Sequence, residues 1–119
     1  MAVEGVCHCG AVSYRVNAEP AQATVCNCSI CRRLGAVWIY APGSDVAIDA
    51  APDATLRYTH GEANIAFHTC RTCGATTHWE NLREGPSARM AVNLSLADPK
   101  VAASIPVRHF DGADTWTFL

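Results

Sequence analysis

The sequence predicts an all-β domain whose small sheets are joined at their tips by metal. The apolar segments are short and separated by glycine and proline turns, and no segment has the pattern of a long helix. All seven cysteines also fall into three tight clusters. A chain of 119 residues has the size of one domain, so we expect residues 1–119 to form a single unit with one core.

The first half of the chain contains four strand-like segments. Residues 11–16 alternate between apolar and polar side chains, which is the period of a half-buried strand. Residues 36–40 are rich in β-branched and aromatic side chains, which favour strands. A turn over residues 42–45 then leads to two further strand-like segments, 46–49 and 56–60.

The second half predicts a hairpin and one further strand. Residues 65–69 and 75–80 have strand character and flank the tip 70–74, which resembles a zinc knuckle. Residues 88–94 form the next predicted strand. We expect the apolar C-terminal segment, with Trp116 and Phe118, to pack back on the sheet.

Two short helical turns are expected between the strands. Ser29 could cap a brief turn that runs through Leu34 and ends at Gly35. Asp98 could cap a second turn, with Pro99 at its first position. No long helix is predicted.

The cysteine clusters predict metal binding rather than a disulfide framework. They read Cys7-His8-Cys9, Cys26-Asn27-Cys28-Ser29-Ile30-Cys31 and Cys70-Arg71-Thr72-Cys73. Disulfide scaffolds are typical of secreted domains with an even cysteine count and an export signal, whereas this chain has seven cysteines and begins Met-Ala-Val-Glu-Gly-Val. Close pairs of cysteines also converge on one cation more readily than they bridge distant segments.

The clusters divide into a set of four ligands and a set of three. The outer pairs, Cys7, Cys9, Cys70 and Cys73, make a complete tetrahedral set of the kind that closes a fold around structural zinc. The triplet, Cys26, Cys28 and Cys31, leaves a fourth position for water, a substrate thiol or a histidine. Because catalytic zinc keeps such an open position, the triplet is the candidate catalytic site, and two zinc ions per chain are expected.

Two alternatives remain for the triplet. A histidine could complete it and make it a second structural site, although none stands at a motif spacing from these cysteines. The candidates are His8, His60, His68, His78 and His109. A lone nucleophilic cysteine is the other alternative, and it would need a base rather than two neighbouring thiols.

Two arginines follow the last cysteine of the triplet directly. Arg32 and Arg33 could bind substrate carboxylates or offset the charge of the thiolates. The alternative is that both lie in a solvated turn.

Charge and hydropathy narrow the classes of partner. Nine basic and eleven acidic residues give a net charge of −2 without a basic stripe, which argues against nucleic acid. The longest apolar runs, such as residues 36–41, are too short to cross a bilayer, so no membrane partner is expected. Free thiolates persist in reducing compartments, which favours the cytoplasm.

The three clusters, in this order and spacing, resemble the glutathione-dependent formaldehyde-activating enzyme family, which is shared with centromere-protein-V-like proteins. The resemblance rests on residues 7–10, 26–33 and 70–74 and continues through residues 92–94 and 109–116. It implies a β-tent fold with several short antiparallel sheets, a structural zinc on the outer pairs and a second zinc on the triplet. It also implies carbon–sulfur lyase activity, with S-hydroxymethylglutathione formed from formaldehyde and glutathione.

The chemistry suggested for the triplet is addition of a small thiol to an aldehyde. A thiol at the fourth zinc position would lose its proton there and attack the aldehyde carbon as a thiolate. Two functions of other classes remain open. The chain could be a zinc-stabilised binding or scaffold module without turnover, or a thiol redox sensor whose triplet is oxidised and releases zinc.

Overall fold

The computed structural model describes residues 2–119, in which short strands form two sheets. The strands are β1 (Val3–Val6), β2 (Ser13–Val16), β3 (Ala23–Cys26), β4 (Trp38–Pro42), β5 (Val46–Asp49), β6 (Thr55–Tyr58), β7 (Ile65–Cys70), β8 (Thr76–Asn81), β9 (Arg89–Asn93), β10 (Val107–Asp111) and β11 (Thr117–Phe118). Two short helices, α1 (Cys31–Leu34) and α2 (Pro99–Ala103), and the 3₁₀ turns Gly43–Asp45 and Leu94–Leu96 connect them.

The smaller sheet has the order β1-β2-β5 and the larger sheet the order β11-β10-β3-β4-β9-β8-β7-β6. Every pair of neighbouring strands is antiparallel except β3 and β10, which pair in parallel. The predicted all-β class with antiparallel sheets is therefore confirmed. The parallel pair places Phe110 beside Cys26, at the end of β3 where the cysteine triplet begins.

Strand β4 separates the two main apolar clusters because successive side chains on a strand point to opposite faces. Ile39 faces the first cluster, where the larger sheet packs against Tyr14 and Val16 of the smaller sheet. Trp38, its neighbour, faces the second cluster together with Phe67. The Tyr14 hydroxyl donates a hydrogen bond of 2.9 Å to the Asn93 carbonyl and thereby ties the two sheets together.

The limits of the predicted strands agree with the structure where turn residues flank the strand. Residues 46–49 form β5 as predicted, and the hairpin around residues 70–74 is formed by β7 and β8. The predicted strand over residues 56–60 is shifted, since β6 is Thr55–Tyr58. Strands β1, β3, β10 and β11 were not predicted. Most of β10 is exposed and does not alternate, so its pairing with β3 leaves no local pattern.

The two helical turns differ in how well they were predicted. Asp98 caps α2 as expected, because its side chain accepts a hydrogen bond of 2.8 Å from the Lys100 amide. The prediction that Ser29 caps α1 was wrong. The N-cap is Ile30, without a side-chain hydrogen bond, since α1 begins one residue too late for Ser29 to reach it. Gly35 ends α1 in the left-handed conformation, with φ of 66°.

The C-terminal aromatic side chains pack on one another at the edge of the larger sheet. Phe110 lies edge-on to Trp116 and Phe118, with ring centroids 5.0 and 5.1 Å away. Trp116 nevertheless remains 71% exposed. None of the helices in residues 2–119 combines the length and apolarity that spanning a membrane requires.

Candidate metal centres and the adjoining cavity

The cysteines of the outer pairs converge on one point between the sheets. The Sγ atoms of Cys7, Cys9, Cys70 and Cys73 all lie within 4.8 Å of one another. Two of their separations, Cys7 to Cys9 and Cys9 to Cys70, are 3.7 and 3.6 Å. A tetrahedron with zinc–sulfur bonds of about 2.3 Å has edges of about 3.8 Å, so these side chains fit a zinc ion. We call this group the four-cysteine cluster.

Backbone amides turn toward the sulfurs of the four-cysteine cluster. The Val12 amide donates to the Cys7 Sγ at 3.3 Å, and, despite burial, this bond helps hold the pKa of Cys7 below its usual value. The backbone amides of Ala75 and Cys9 lower the pKa of Cys73 to about 6. Amide donors stabilise the thiolate form that a metal requires.

Two glycines give these loops their shape. Gly10 and Gly74 have φ of 88° and 79°, a region that other residues rarely adopt. Each follows a cysteine directly, so the chain can reverse there and present its amides to the cluster.

The triplet forms the second group, at the point where β3 ends and α1 begins. The Sγ atoms of Cys26, Cys28 and Cys31 lie within 4.8 Å of one another. The Cys28 amide donates to the Cys26 Sγ, and the Cys31 amide to the Cys28 Sγ, both at 3.4 Å. Three sulfurs without an oxygen ligand form a soft donor set that fits zinc and leaves one tetrahedral position free.

The three thiols of the triplet are electrostatically unequal. Burial raises the pKa of Cys26 and of Cys31, and the neighbouring Cys28 raises both further. Burial also acts on Cys28, but hydrogen bonds from the Cys31 amide and from the other two thiols bring its pKa below the usual value. Without metal, Cys28 is therefore the thiol of the three that ionises first.

Within residues 2–119, no histidine or carboxylate joins the triplet at ligand distance. His60 lines a cavity that opens beside the triplet, and His68 and His78 stack on each other, with ring centroids 4.3 Å apart, in the β7–β8 hairpin. His8 and His109 are exposed. The structure thus gives no support to a histidine as the fourth ligand.

A cavity of about 1190 Å³ opens beside the triplet and is bounded by all three of its cysteines. Aromatic side chains form much of its wall: Tyr40, Phe67, Trp79, Phe110, Trp116 and Phe118. Two arginines, Arg83 and Arg89, and two glutamates, Glu62 and Glu84, supply charge. A pocket of this size and composition suits a small organic ligand that carries a few charged groups.

The sequence-predicted arginines lie elsewhere. Arg32 and Arg33 are exposed and are not among the cavity-lining residues. Arg33 donates to the Ser29 carbonyl at 2.7 Å instead. Arg89, which the sequence did not single out, lies over the Tyr40 ring at 4.5 Å. It comes from β9, more than fifty residues from the triplet, and no local motif marks it.

The loop after β10 closes one side of the triplet. A Cβ atom at Gly112 would lie 2.6 Å from the Cys26 Sγ, so only glycine fits there. Asn27 ties this loop to the triplet, because its side chain donates to Asp111 and accepts from the Ala113 amide, both at 3.0 Å. At the end of the loop, Trp116 has a φ of 58°, a strained backbone conformation at the cavity wall.

Tyr40 is the tyrosine that lines the cavity. Within residues 2–119, its hydroxyl has no hydrogen-bond partner. The buried Tyr14, by contrast, uses its hydroxyl to bind Asn93. Burial and the negative charge of Cys31 raise the pKa of Tyr40 to about 12. Tyr40 is therefore a neutral hydrogen-bond donor at the pH of the cell.

Comparison with known proteins relates the chain to one family. A family profile described as glutathione-dependent formaldehyde-activating enzyme matches residues 2–110. A Halomonas elongata protein that carries this enzyme name provisionally is 36% identical over 101 residues. The match covers 84% of this chain but 59% of that relative, so the chain spans about three-fifths of its length.

A solved structure supports the same fold. A crystal structure of a Rhodobacter sphaeroides protein superposes with a TM-score of 0.70 at 32% identity. The superposition covers 87% of this chain and 98% of the other. That structure extends the likeness from sequence to the arrangement of the strands.

Proposed function

Because this chain belongs to the glutathione-dependent formaldehyde-activating enzyme family, we propose that it is a zinc-dependent enzyme of the carbon–sulfur lyase type. Its reaction joins glutathione and formaldehyde as S-hydroxymethylglutathione, or separates them again. The observation that carries this proposal is a group of three sulfurs, with one tetrahedral position free, on the wall of a cavity of about 1190 Å³. We also propose two zinc ions per chain and a cytoplasmic location.

The triplet would hold the metal of the active site. Zinc bound by Cys26, Cys28 and Cys31 would supply a position at which a substrate thiol exists as its thiolate at neutral pH. The chain's own part is to hold three sulfurs at fixed spacing, with amide hydrogen bonds on two of them. The four-cysteine cluster has its full ligand number and is assigned a structural role.

Charged residues of the cavity match the charges of glutathione. This tripeptide carries two carboxylates and one ammonium group in addition to its thiol. We assign its carboxylates to Arg83 and Arg89, since guanidinium groups bind carboxylates with paired hydrogen bonds. Glu62 or Glu84 would accept a hydrogen bond from the ammonium group.

The bond-forming step needs one proton donor near the aldehyde. As the glutathione sulfur bonds to the formaldehyde carbon, the π electron pair of the carbonyl moves to its oxygen. We assign Tyr40 to donate a hydrogen bond, and then a proton, to that oxygen, since its hydroxyl is otherwise unpaired and stays protonated. The proton that the glutathione thiol releases then returns to the Tyr40 oxygen, so the protein is unchanged after the reaction and no oxidant or reductant is required.

The proposal is tested by measuring how fast S-hydroxymethylglutathione forms and breaks down at equilibrium, by exchange NMR. Because the uncatalysed addition is rapid, the protein is compared with Cys28→Ser at equal concentration. We expect exchange above the uncatalysed rate with the protein and the uncatalysed rate with the variant. Metal analysis must show that Cys28→Ser keeps its other zinc. Equal rates for the two proteins would favour the binding module without turnover.

A further inference from the structure

Trp38 presents a buried donor without a partner. Its side chain is fully buried, and its Nε1 is the one buried side-chain nitrogen or oxygen in residues 2–119 that lacks a hydrogen-bond partner of ordinary geometry. Buried indole N–H groups normally have an acceptor, and each exception calls for an explanation. This nitrogen is inaccessible to solvent, so only a neighbouring side chain or backbone group could serve as its acceptor.

Cys31 is that neighbour. It packs against the apolar cluster to which Trp38 belongs. The Trp38 side chain lies near enough to the Cys31 thiol to act on it as a hydrogen-bond donor. A thiolate sulfur is larger and softer than oxygen and accepts N–H donors at longer distance.

The other two sulfurs of the triplet each have a backbone donor. Cys26 accepts from the Cys28 amide, and Cys28 accepts from the Cys31 amide. The hydrogen bonds within residues 2–119 include no backbone donor to the Cys31 sulfur. The Cys31 sulfur therefore lacks a backbone donor, and the neighbouring Trp38 indole N–H lacks an acceptor.

We propose that Trp38 is a positioning residue of the triplet, whose indole N–H donates to the Cys31 sulfur when that thiolate holds a metal. This inference rests on the proposed metal binding by the triplet. The bond fixes the orientation of Cys31 and stabilises its negative charge. Partners of metal ligands typically change metal affinity about 10- to 100-fold when they are lost. Trp38 would thus set the affinity of the triplet without touching the substrate.

The direct test uses the unmodified protein loaded with NMR-active cadmium. A hydrogen bond to a metal-bound sulfur transmits spin coupling from cadmium to the donated proton. We expect this coupling at the Trp38 indole proton and at the amide protons of Cys28 and Cys31, which serve as internal controls. Coupling at the two amides without coupling at the indole would overturn the inference and leave the proposed function intact. Absence of cadmium from the triplet would overturn both.

A pair of variants separates the hydrogen bond from packing. Trp38→Phe removes the donor, and Trp79→Phe removes an indole from the same apolar cluster. We expect Trp38→Phe to weaken zinc binding at the triplet about tenfold in competition with a chelator, and Trp79→Phe to change it less than about threefold. Equal losses would mean that Trp38 acts through packing and would overturn the inference. If Trp38→Phe does not fold, Trp79→Phe and Trp116→Phe assign the indole signals by elimination, and the cadmium coupling decides alone.

Discussion

The four-cysteine cluster and the triplet both consist of cysteine sulfurs, but they are suited to different roles. In the four-cysteine cluster, Cys9 and Cys70 are 61 residues apart in sequence, and their sulfurs lie 3.6 Å from each other. The triplet draws all its sulfurs from residues 26–31 and faces a large cavity. The first therefore joins distant parts of the fold and has no free ligand position, whereas the second restrains one loop and keeps a position free. The separation of the ligands along the sequence determines how much of the fold each group joins, and the number of ligands determines whether a position is free for a substrate.

The surroundings of the two groups reinforce the difference. Cys7 and Cys70 are almost fully buried and form a small apolar cluster with Val12, whereas Cys9 is exposed and Cys73 is half-buried. Cys28 and Cys31 of the triplet are half-buried on the cavity wall. The first group is therefore anchored in the core by two of its ligands, and the second lines a cavity that a ligand can enter.

The largest predicted effect follows from removing one ligand of each group. Cys70→Ala should give unfolded or insoluble protein, because structural zinc contributes on the order of 10 kcal/mol, as much as a whole domain's stability. Cys31→Ala should give a folded chain that holds about one zinc ion. Circular dichroism and metal analysis of the soluble fractions measure both outcomes. Collapse of both variants would make the triplet structural as well.

Acid should weaken the β7–β8 hairpin, which carries two ligands of the four-cysteine cluster. Burial and the nearby charge of His68 lower the pKa of His78 to about 4, from 6.5 in the unfolded chain. Between these values only the unfolded state binds the proton, so the free energy of unfolding falls as the pH drops from about 6.5 to about 4. The loss is on the order of 3 kcal/mol and stops below about pH 4.

His78→Gln isolates this contribution. Urea unfolding of the zinc-loaded proteins at several pH values should show a shallower acid loss in the variant than in the native chain. Zinc release affects both proteins, so it cancels in the difference. Parallel pH profiles would show that His78 does not couple protonation to folding.

Gly112→Ala should damage the triplet alone. The added methyl group would lie 2.6 Å from the Cys26 sulfur and force the loop or the ligand to move. We expect zinc affinity at the triplet to fall about 10- to 100-fold, with the four-cysteine cluster unchanged. Gly85→Ala is the control, since the added carbon meets no atom within 4 Å there, although Gly85 has a φ of 96° and Gly112 has no positive φ. The same loss of triplet affinity in both variants would show that contact with Cys26 is not its cause.

The smallest predicted effect distinguishes the two pairs of arginines. Arg89→Ala should raise the KM for glutathione about tenfold, because a charged hydrogen bond to a carboxylate is lost. Arg33→Ala should leave the KM unchanged, since Arg33 is exposed and bonded to the Ser29 carbonyl. The reverse result would restore the sequence-based assignment of Arg32 and Arg33 to substrate binding.

The sequence predicted what local spacing determines. The division of the cysteines into groups of four and three matches the groups in the structure, since each cluster is local and only the pairing of the outer two had to be inferred. Residues 46–49 were predicted correctly because a turn precedes them and their alternation is regular.

The other residues of the site are brought together by strand pairing between distant segments, which leaves no local pattern in the sequence. The parallel pairing of β10 with β3 brings Phe110 and Gly112 to the triplet, and β9 brings Arg89 to the cavity. The prediction for Arg32 and Arg33 relied on proximity in sequence. Both arginines follow Cys31 directly in the short helix α1, where they are exposed and do not line the cavity.

The central claim, that one cysteine group is closed and the other open to a thiol, is tested most directly by cadmium NMR of the loaded protein. We expect two cadmium resonances, and addition of glutathione should shift one of them. The shifting resonance should be the one that Cys31→Ala removes. A single resonance, two resonances that both ignore glutathione, or two that move together would contradict the account.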